Sequence, residues 1–158
     1  MAIYMKYQGV DGESTTTGFE KQIELQSFQI GVGRGISTAR GTSTRESSEA
    51  SVSEVTLTKL TDGASLKLFE ESLYGKLDHE VVITFVRTQT GGGVQPYLRY
   101  TLTGAGVSGF SLSSGGDRPI ESISLNFDKI EMTYGMIGDD QSGSNASTSY
   151  DLATAKRA

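Results

Sequence analysis

The chain has no cysteine and no tryptophan, a single histidine and only two prolines among 158 residues. Without cysteine there is no disulfide framework, no thiolate metal site and no cysteine nucleophile. The compartment stays open, because such a chain suits reducing and oxidising surroundings alike. One histidine without cysteine cannot build the usual zinc set. Positive charge is short too: 14 Lys and Arg against 19 Asp and Glu leave a net charge of −5, so the basic footprint of a nucleic-acid binder is missing. No hydrophobic run approaches the length of a membrane span. The opening "MAIYMKYQGVDGES" meets charge and glycine before a signal-peptide stretch could form. Neither nucleic acid nor membrane insertion is expected, and any export is expected to bypass the general secretory route.

What the chain does have is twenty glycines and many Ser and Thr, the composition of short strands and frequent turns, and a mainly β fold is expected. At this length folding buries about two thirds of the surface of the unfolded chain, enough for one core without staples. Ile3, Met5 and Tyr7 alternate with Tyr4 and Lys6 as a first strand, ended by Gly9 and Asp11-Gly12. Val55, Leu57 and Lys59 alternate with Thr56, Thr58 and Leu60 as another. Val81 to Val86 is apolar at nearly every position and is expected to be central, either buried on both faces or lying at an interface between layers. Gly91-Gly92-Gly93 turns it into Tyr97 to Thr103 as a hairpin. The one convincing helix is "ASLKLFEESLYGK", with Leu66, Phe69 and Leu73 as its apolar side, Lys67, Glu70 and Glu71 outside, and Gly75 as its stop.

Several strands change phase. Ile23 and Leu25 are odd but Phe28, Ile30 and Val32 even, with the break at Gln26-Ser27. Val107 is odd but Phe110 and Leu112 even, with Gly109 between. Ile123, Leu125 and Phe127 give way to Ile130, Met132 and Tyr134. One extra residue at each break, a β-bulge, restores the buried face while bending the strand. Strands so bent imply curved sheets closing on each other as a barrel or tight sandwich. The alternative is that each long strand is two short ones at different packing sites.

The stretch from 37 to 54 is different. Nine of its eighteen residues are Ser or Thr, interspersed with Arg40, Arg45, Glu46 and Glu49. So long and polar a segment reads as a mobile loop or as an extended arm that orders against a partner. Residues 1–136 form the expected domain, and the tail 137–158 is too polar to add to its core.

No catalytic constellation emerges. His79, just after the helix, reads as a surface turn residue, and no serine or acid is placed beside it by sequence. Gly104, Gly106 and Gly109 spell G-x-G-x-x-G, but no helix opens there to face a pyrophosphate. "GVGRG" at 31–35 fails likewise. Asp139-Asp140 lacks the spaced acids of a calcium loop. No cofactor or metal is implied, and a structural or binding role is favoured over an enzyme.

Several segments together resemble one family, the Hcp tube proteins of bacterial type VI secretion. They are "GEST" at 12–15, "IELQSFQIGV" at 23–32, "LTKLTDGASLKLFEESLYGK" at 57–76, "YLRYTLTGAGVSGFS" at 97–111 and "GGDRPIESISLNFDKIEMTY" at 115–134. Phe28 and Ile30 stand where the family commonly has tryptophan. The resemblance implies a small closed β-barrel of two sheets flanked by one α-helix, assembling as hexameric rings that stack into an inner tube. A sheath and a spike would surround and tip that tube, and effector proteins would ride in its lumen. It implies assembly in the bacterial cytoplasm followed by secretion. It places the strand after Gln22 along the lumen, which makes Gln29 the first candidate for a lumen contact, then Gly31, Gln22, Glu24 and Gln26. The arm, through Thr38, Arg40, Thr42, Thr44, Arg45, Glu46 and Glu49, becomes the candidate contact to a neighbouring subunit or ring. The second reading is a ligand- or cargo-binding β-barrel acting as single rings, which would require an apolar pocket in the barrel or lumen.

Overall fold

A computed structural model describes residues 2–37, 46–135 and 146–157 of the chain. Alternation sets the first strands: β1 (Ala2–Tyr7) buries Met5 and Tyr7, and β2 (Ile23–Leu25) buries Ile23 and Leu25. After Gln26 comes β3 (Ser27–Gln29). The arm follows, with β4 (Val32–Gly33), β5 (Ile36–Ser37), β6 (Glu46–Ser47) and β7 (Ser51–Val52). Then come β8 (Val55–Leu60), α1 (Ser65–Tyr74), β9 (His79–Thr88), β10 (Val94–Ser113), β11 (Ile120–Asn126), β12 (Lys129–Tyr134) and β13 (Ala146–Asp151). One sheet runs β2-β1-β9-β10-β12-β13 and the other β10-β11-β8-β3, all antiparallel. The 20-residue β10 belongs to both. At the far ends, β2 and β3 are separated by Gln26 alone, whose N–H donates to the Thr58 carbonyl at 2.8 Å. The two sheets are thus joined on one side by β10 and on the other by the chain itself; among the described residues no ladder pairs β2 with β3, so the two sheets of the expected barrel meet there without the expected closure.

The phase breaks have two causes. At Val107–Gly109 the register between β10 and β11 slips by one residue, the bulge that the sequence suggests. Elsewhere the break is a corner where the chain passes from one sheet to the other: at Gln26 and at Phe127–Asp128 one strand ends and another begins, as in the second sequence reading, whereas β10 runs unbroken through its corner with a register slip against β9 between Leu102 and Ala105. Inward positions step by three across each corner: Leu25 to Phe28, Leu102 to Ala105 and Phe127 to Ile130. The last two lie side by side. β11 and β12 keep one register along β10, from Gly106↔Asn126 to Thr103↔Lys129, and both chains turn together. Gly104 supplies the turn with φ +64°, where a Cβ would run into the Asp128 carboxylate.

Between the sheets Met5, Ile23, Leu25, Val55, Leu57, Val81, Ile83, Leu102, Ile123 and Leu125 form the core. The central placement expected for Val81 to Val86 holds, because β9 lies between β1 and β10, with Val81, Ile83, Thr84 and Val86 buried and Val82 and Phe85 half-buried. On its other face Val86 packs with Tyr4 and Phe19, whose rings stack at 4.8 Å. The tail extends the structure after all: β13 pairs with β12 from Lys129↔Asp151 to Tyr134↔Ala146, though none of its residues is fully buried.

The helix is rotated from its expected setting. Leu68 is its fully buried side chain, while Leu66, Phe69 and Leu73 are exposed, Phe69 making an edge contact with Phe110 at 5.5 Å. At 100° per residue Leu68 points away from Leu66 and Leu73. Val32, expected in the core, is exposed as well.

Candidate functional site

The rotation of α1 is fixed at its first turn. Lys59 and Glu121 face each other across the β8–β11 ladder, both fully buried, with Nζ 2.9 Å from Oε1. The same ammonium reaches the Asp62 carboxylate at 2.9 Å, donates to the Ser65 hydroxyl at 3.0 Å and donates to the Leu60 carbonyl at 3.0 Å. Ser65 Oγ in turn accepts the Asp62 N–H, and Asp62 Oδ1 accepts that of Ala64. Burial alone would raise the Glu121 carboxyl. The surrounding Ser65, Lys59 and Thr61 outweigh it, and the pKa is held below the ordinary glutamate value. With Ser65 tied inward, Leu68 one turn later also points inward. Sequence reasoning missed this pair, yet a signal exists: Lys59 shares its parity with Val55 and Leu57, and Glu121 with Ile123 and Leu125.

The arm is an antiparallel ribbon rather than a loop. β4 pairs β7 through Val32↔Val52 and Gly33↔Ser51, and β5 pairs β6 through Ile36↔Ser47 and Ser37↔Glu46. Between these pairs Arg34 and Gly35 stand against Ser48, Glu49 and Ala50, an offset that twists the ribbon. Two serines clamp it. Ser53 Oγ accepts the Gly31 N–H at 2.8 Å while its own N–H donates to the Gly31 carbonyl, and Ser48 does the same for Gly35 at 2.7 Å. Backbone groups that would lack partners in an isolated ribbon are thereby satisfied by the local sequence. Glu49 is exposed in the offset, and Glu46 lies in β6. Thr38, Arg40, Thr42, Thr44 and Arg45 fall outside the described residues.

Glu24, Gln26, Gln29 and Gly31 are all exposed, and Gln22 is half-buried. They follow the chain round the β2–β3 corner, so that Glu24 stands on the outer face of one sheet and Gln29 on that of the other. His79 is the first residue of β9 rather than a surface turn residue. Its Nε2 lies 3.2 Å from Glu71 Oε2, its ring centroid 5.1 Å from that of Tyr7. Burial, then the charges of Glu71 and Asp78, push the Tyr7 hydroxyl well above its ordinary range. Among the described residues no group of three or more His, Asp and Glu is placed to hold a metal, and no helix is long and apolar enough to cross a membrane.

The G-x-G-x-x-G string serves packing. Gly104 makes the corner and Gly109 the bulge, and a Cβ on Gly106 would strike Leu77 Cδ2 and lie 3.1 Å from the Lys76 carbonyl oxygen. Gly106→Val is expected to cost ~1–3 kcal/mol in urea unfolding by overpacking this contact. An unchanged midpoint would show that the segment after α1 moves aside freely.

Two sheets sharing one bent strand, an outer helix and a projecting ribbon define a β-barrel whose overall fold matches solved structures of type VI secretion proteins. A structure described as that of a type six secretion system protein matches with TM-score 0.86 at 27% identity, over 99% of this chain and 99% of that chain. Hcp1 from Salmonella typhimurium matches with TM-score 0.77 at 22% identity over 99% and 98%. Hcp2 from the same organism gives 0.69 at 24% over 97% of each. These last two bear on the fold alone. The model of the family described as "Type VI secretion system effector, Hcp" matches residues 4–134, and the chain belongs to that family. Among curated proteins none matches.

Proposed function

We propose that this protein is the repeating subunit of a type VI inner tube: copies close into a hexameric ring, rings stack, and the lumen shelters effector proteins. The family match across residues 4–134 carries this reading. In that assembly the ribbon arm reaches the next ring or subunit, because a ribbon that already satisfies its own backbone can project from the barrel. Gln29, with Gly31, Gln22, Glu24 and Gln26, faces the lumen, where exposed amides and one carboxylate offer hydrogen bonds to cargo without an apolar surface that would trap it. Sheath and spike proteins are the remaining partners. The subunit assembles in the cytoplasm and leaves the cell with the expelled tube.

The purified protein is expected to elute at the size of a ring and to be annular by electron microscopy. A monomer at high concentration would refute the assembly. Deleting 36–49 spares Val52, which packs on the core. Rings should survive that deletion while stacking weakens, and stacking at full strength would remove the arm from the inter-ring contact.

A further inference from the structure

The chain carries two apolar surfaces that nothing among the described residues covers. The first is convex. α1 and the turn after it expose Leu66 at 76%, Leu73 at 57%, Tyr74 at 80% and Leu77 at 60%. The anchor at Lys59, Glu121 and Ser65 holds this stripe outward, so it is a fixed feature of the fold. The second is concave. β12 and β13 carry the inward face of their sheet beyond the edge of the other sheet, and the base of the arm leans over it. Ile30, Val32, Val52, Tyr100, Ile130 and Met132 line most of the resulting groove of about 390 Å³. Arg157 is the charged side chain in its lining.

The stripe and groove cannot meet within one chain. The helix packs on β10 at Phe110 and the groove includes Tyr100 of the same strand, ten positions away on the other side of the Gly104 corner. Between copies a convex stripe and a concave groove can meet, both apolar and each carrying one charge of opposite sign. Glu70 lies between Leu66 and Leu73 on the outward side of the helix and, like Arg157, has no ion-pair partner among the described residues.

We infer that the stripe of one copy seats in the groove of the next, with Glu70 facing Arg157. This rests on the ring reading and names the surfaces that close the ring. A pairing of two different faces is heterologous: each copy gives a helix and receives one, and the set closes when the rotation returns to the first copy. The arm base then has two tasks, since β4 and β7 form one wall of the groove while the ribbon projects beyond it.

The test uses the full chain. Leu66→Glu with Leu73→Glu spoils the stripe, and Val32→Glu with Met132→Glu spoils the groove. All four positions are exposed, so circular dichroism should confirm native folding. Each variant alone is expected to be monomeric by light scattering. An equimolar mixture should form dimers and nothing larger, because one intact groove meets one intact stripe. In a second variant Leu73→Cys and Met132→Cys are combined. The chain has no other cysteine, so oxidation should give a covalent ladder that either single substitution lacks. Assembly by either glutamate variant alone would overturn the pairing, as would a monomeric mixture together with an unladdered cysteine pair. Annular wild-type particles beside such a result would leave the ring reading standing, whereas a monomeric wild type would overturn both.

Discussion

Lys59→Met is expected to destabilise the subunit by ~3–5 kcal/mol in urea unfolding, as removal of one member of a buried ion pair does. The substitution leaves Glu121, fully buried, and Asp62, nearly so, facing each other without the ammonium that each lies 2.9 Å from. Glu121→Leu should cost less, because Lys59 keeps Asp62. Combining Lys59→Met with Glu121→Leu should recover much of the loss, since two apolar side chains of similar volume need no desolvation. A double variant as unstable as Lys59→Met alone would show that packing, and not the uncompensated charge, sets the cost.

The same pair gives a pH dependence of defined sign. The Glu121 pKa is depressed in the folded state, so its contribution is present above the unfolded value of about 4.5 and lost as pH falls through the folded one. In Lys59→Met the opposite holds. A buried carboxylate beside Asp62 favours its neutral form, and the deficit should shrink on acidification. Unfolding curves of the two proteins should therefore converge below about pH 4.5. Parallel curves would mean that Glu121 is not the group being titrated.

Leu68→Ala is the second large effect, ~2–5 kcal/mol from a cavity beneath the helix. Leu66→Ala, judged on the unassembled subunit at low concentration, should stay within about 0.5 kcal/mol. Periodicity alone ranks these two residues the other way, because Leu66, Phe69 and Leu73 make the regular apolar stripe. A stripe reports that a helix face meets something apolar, not which molecule supplies it. If Leu66→Ala costs the isolated subunit as much as Leu68→Ala, the helix sits in solution as its sequence pattern suggests, and the outward stripe is lost.

Much of the barrel is visible in the alternation of single strands. Val81 to Val86 as the central strand, the hairpin through Gly91-Gly92-Gly93 and the bulge at Gly109 each follow from residues within a few positions of one another. The corners do not, because a step of three between inward positions looks the same whether one residue bulges or the strand changes sheets. Gly104 and Asp128 resolve that ambiguity only when β10 and β12 lie side by side. The arm shows the same limit. Its Ser-rich composition reads as a loop, and the clamps of Ser48 and Ser53 on Gly35 and Gly31 depend on which serine comes opposite which glycine.

The individual strands, the hairpin between β9 and β10 and the lack of any thiol were therefore legible in residue type and local spacing, and the family in the resemblance of several segments taken together. The rotation of the helix, the buried Lys59–Glu121 pair and the groove beside the arm were settled by tertiary structure. Each of these depends on what stands across a ladder or a layer, and one chain's local pattern carries no record of its neighbour until the strands are in register.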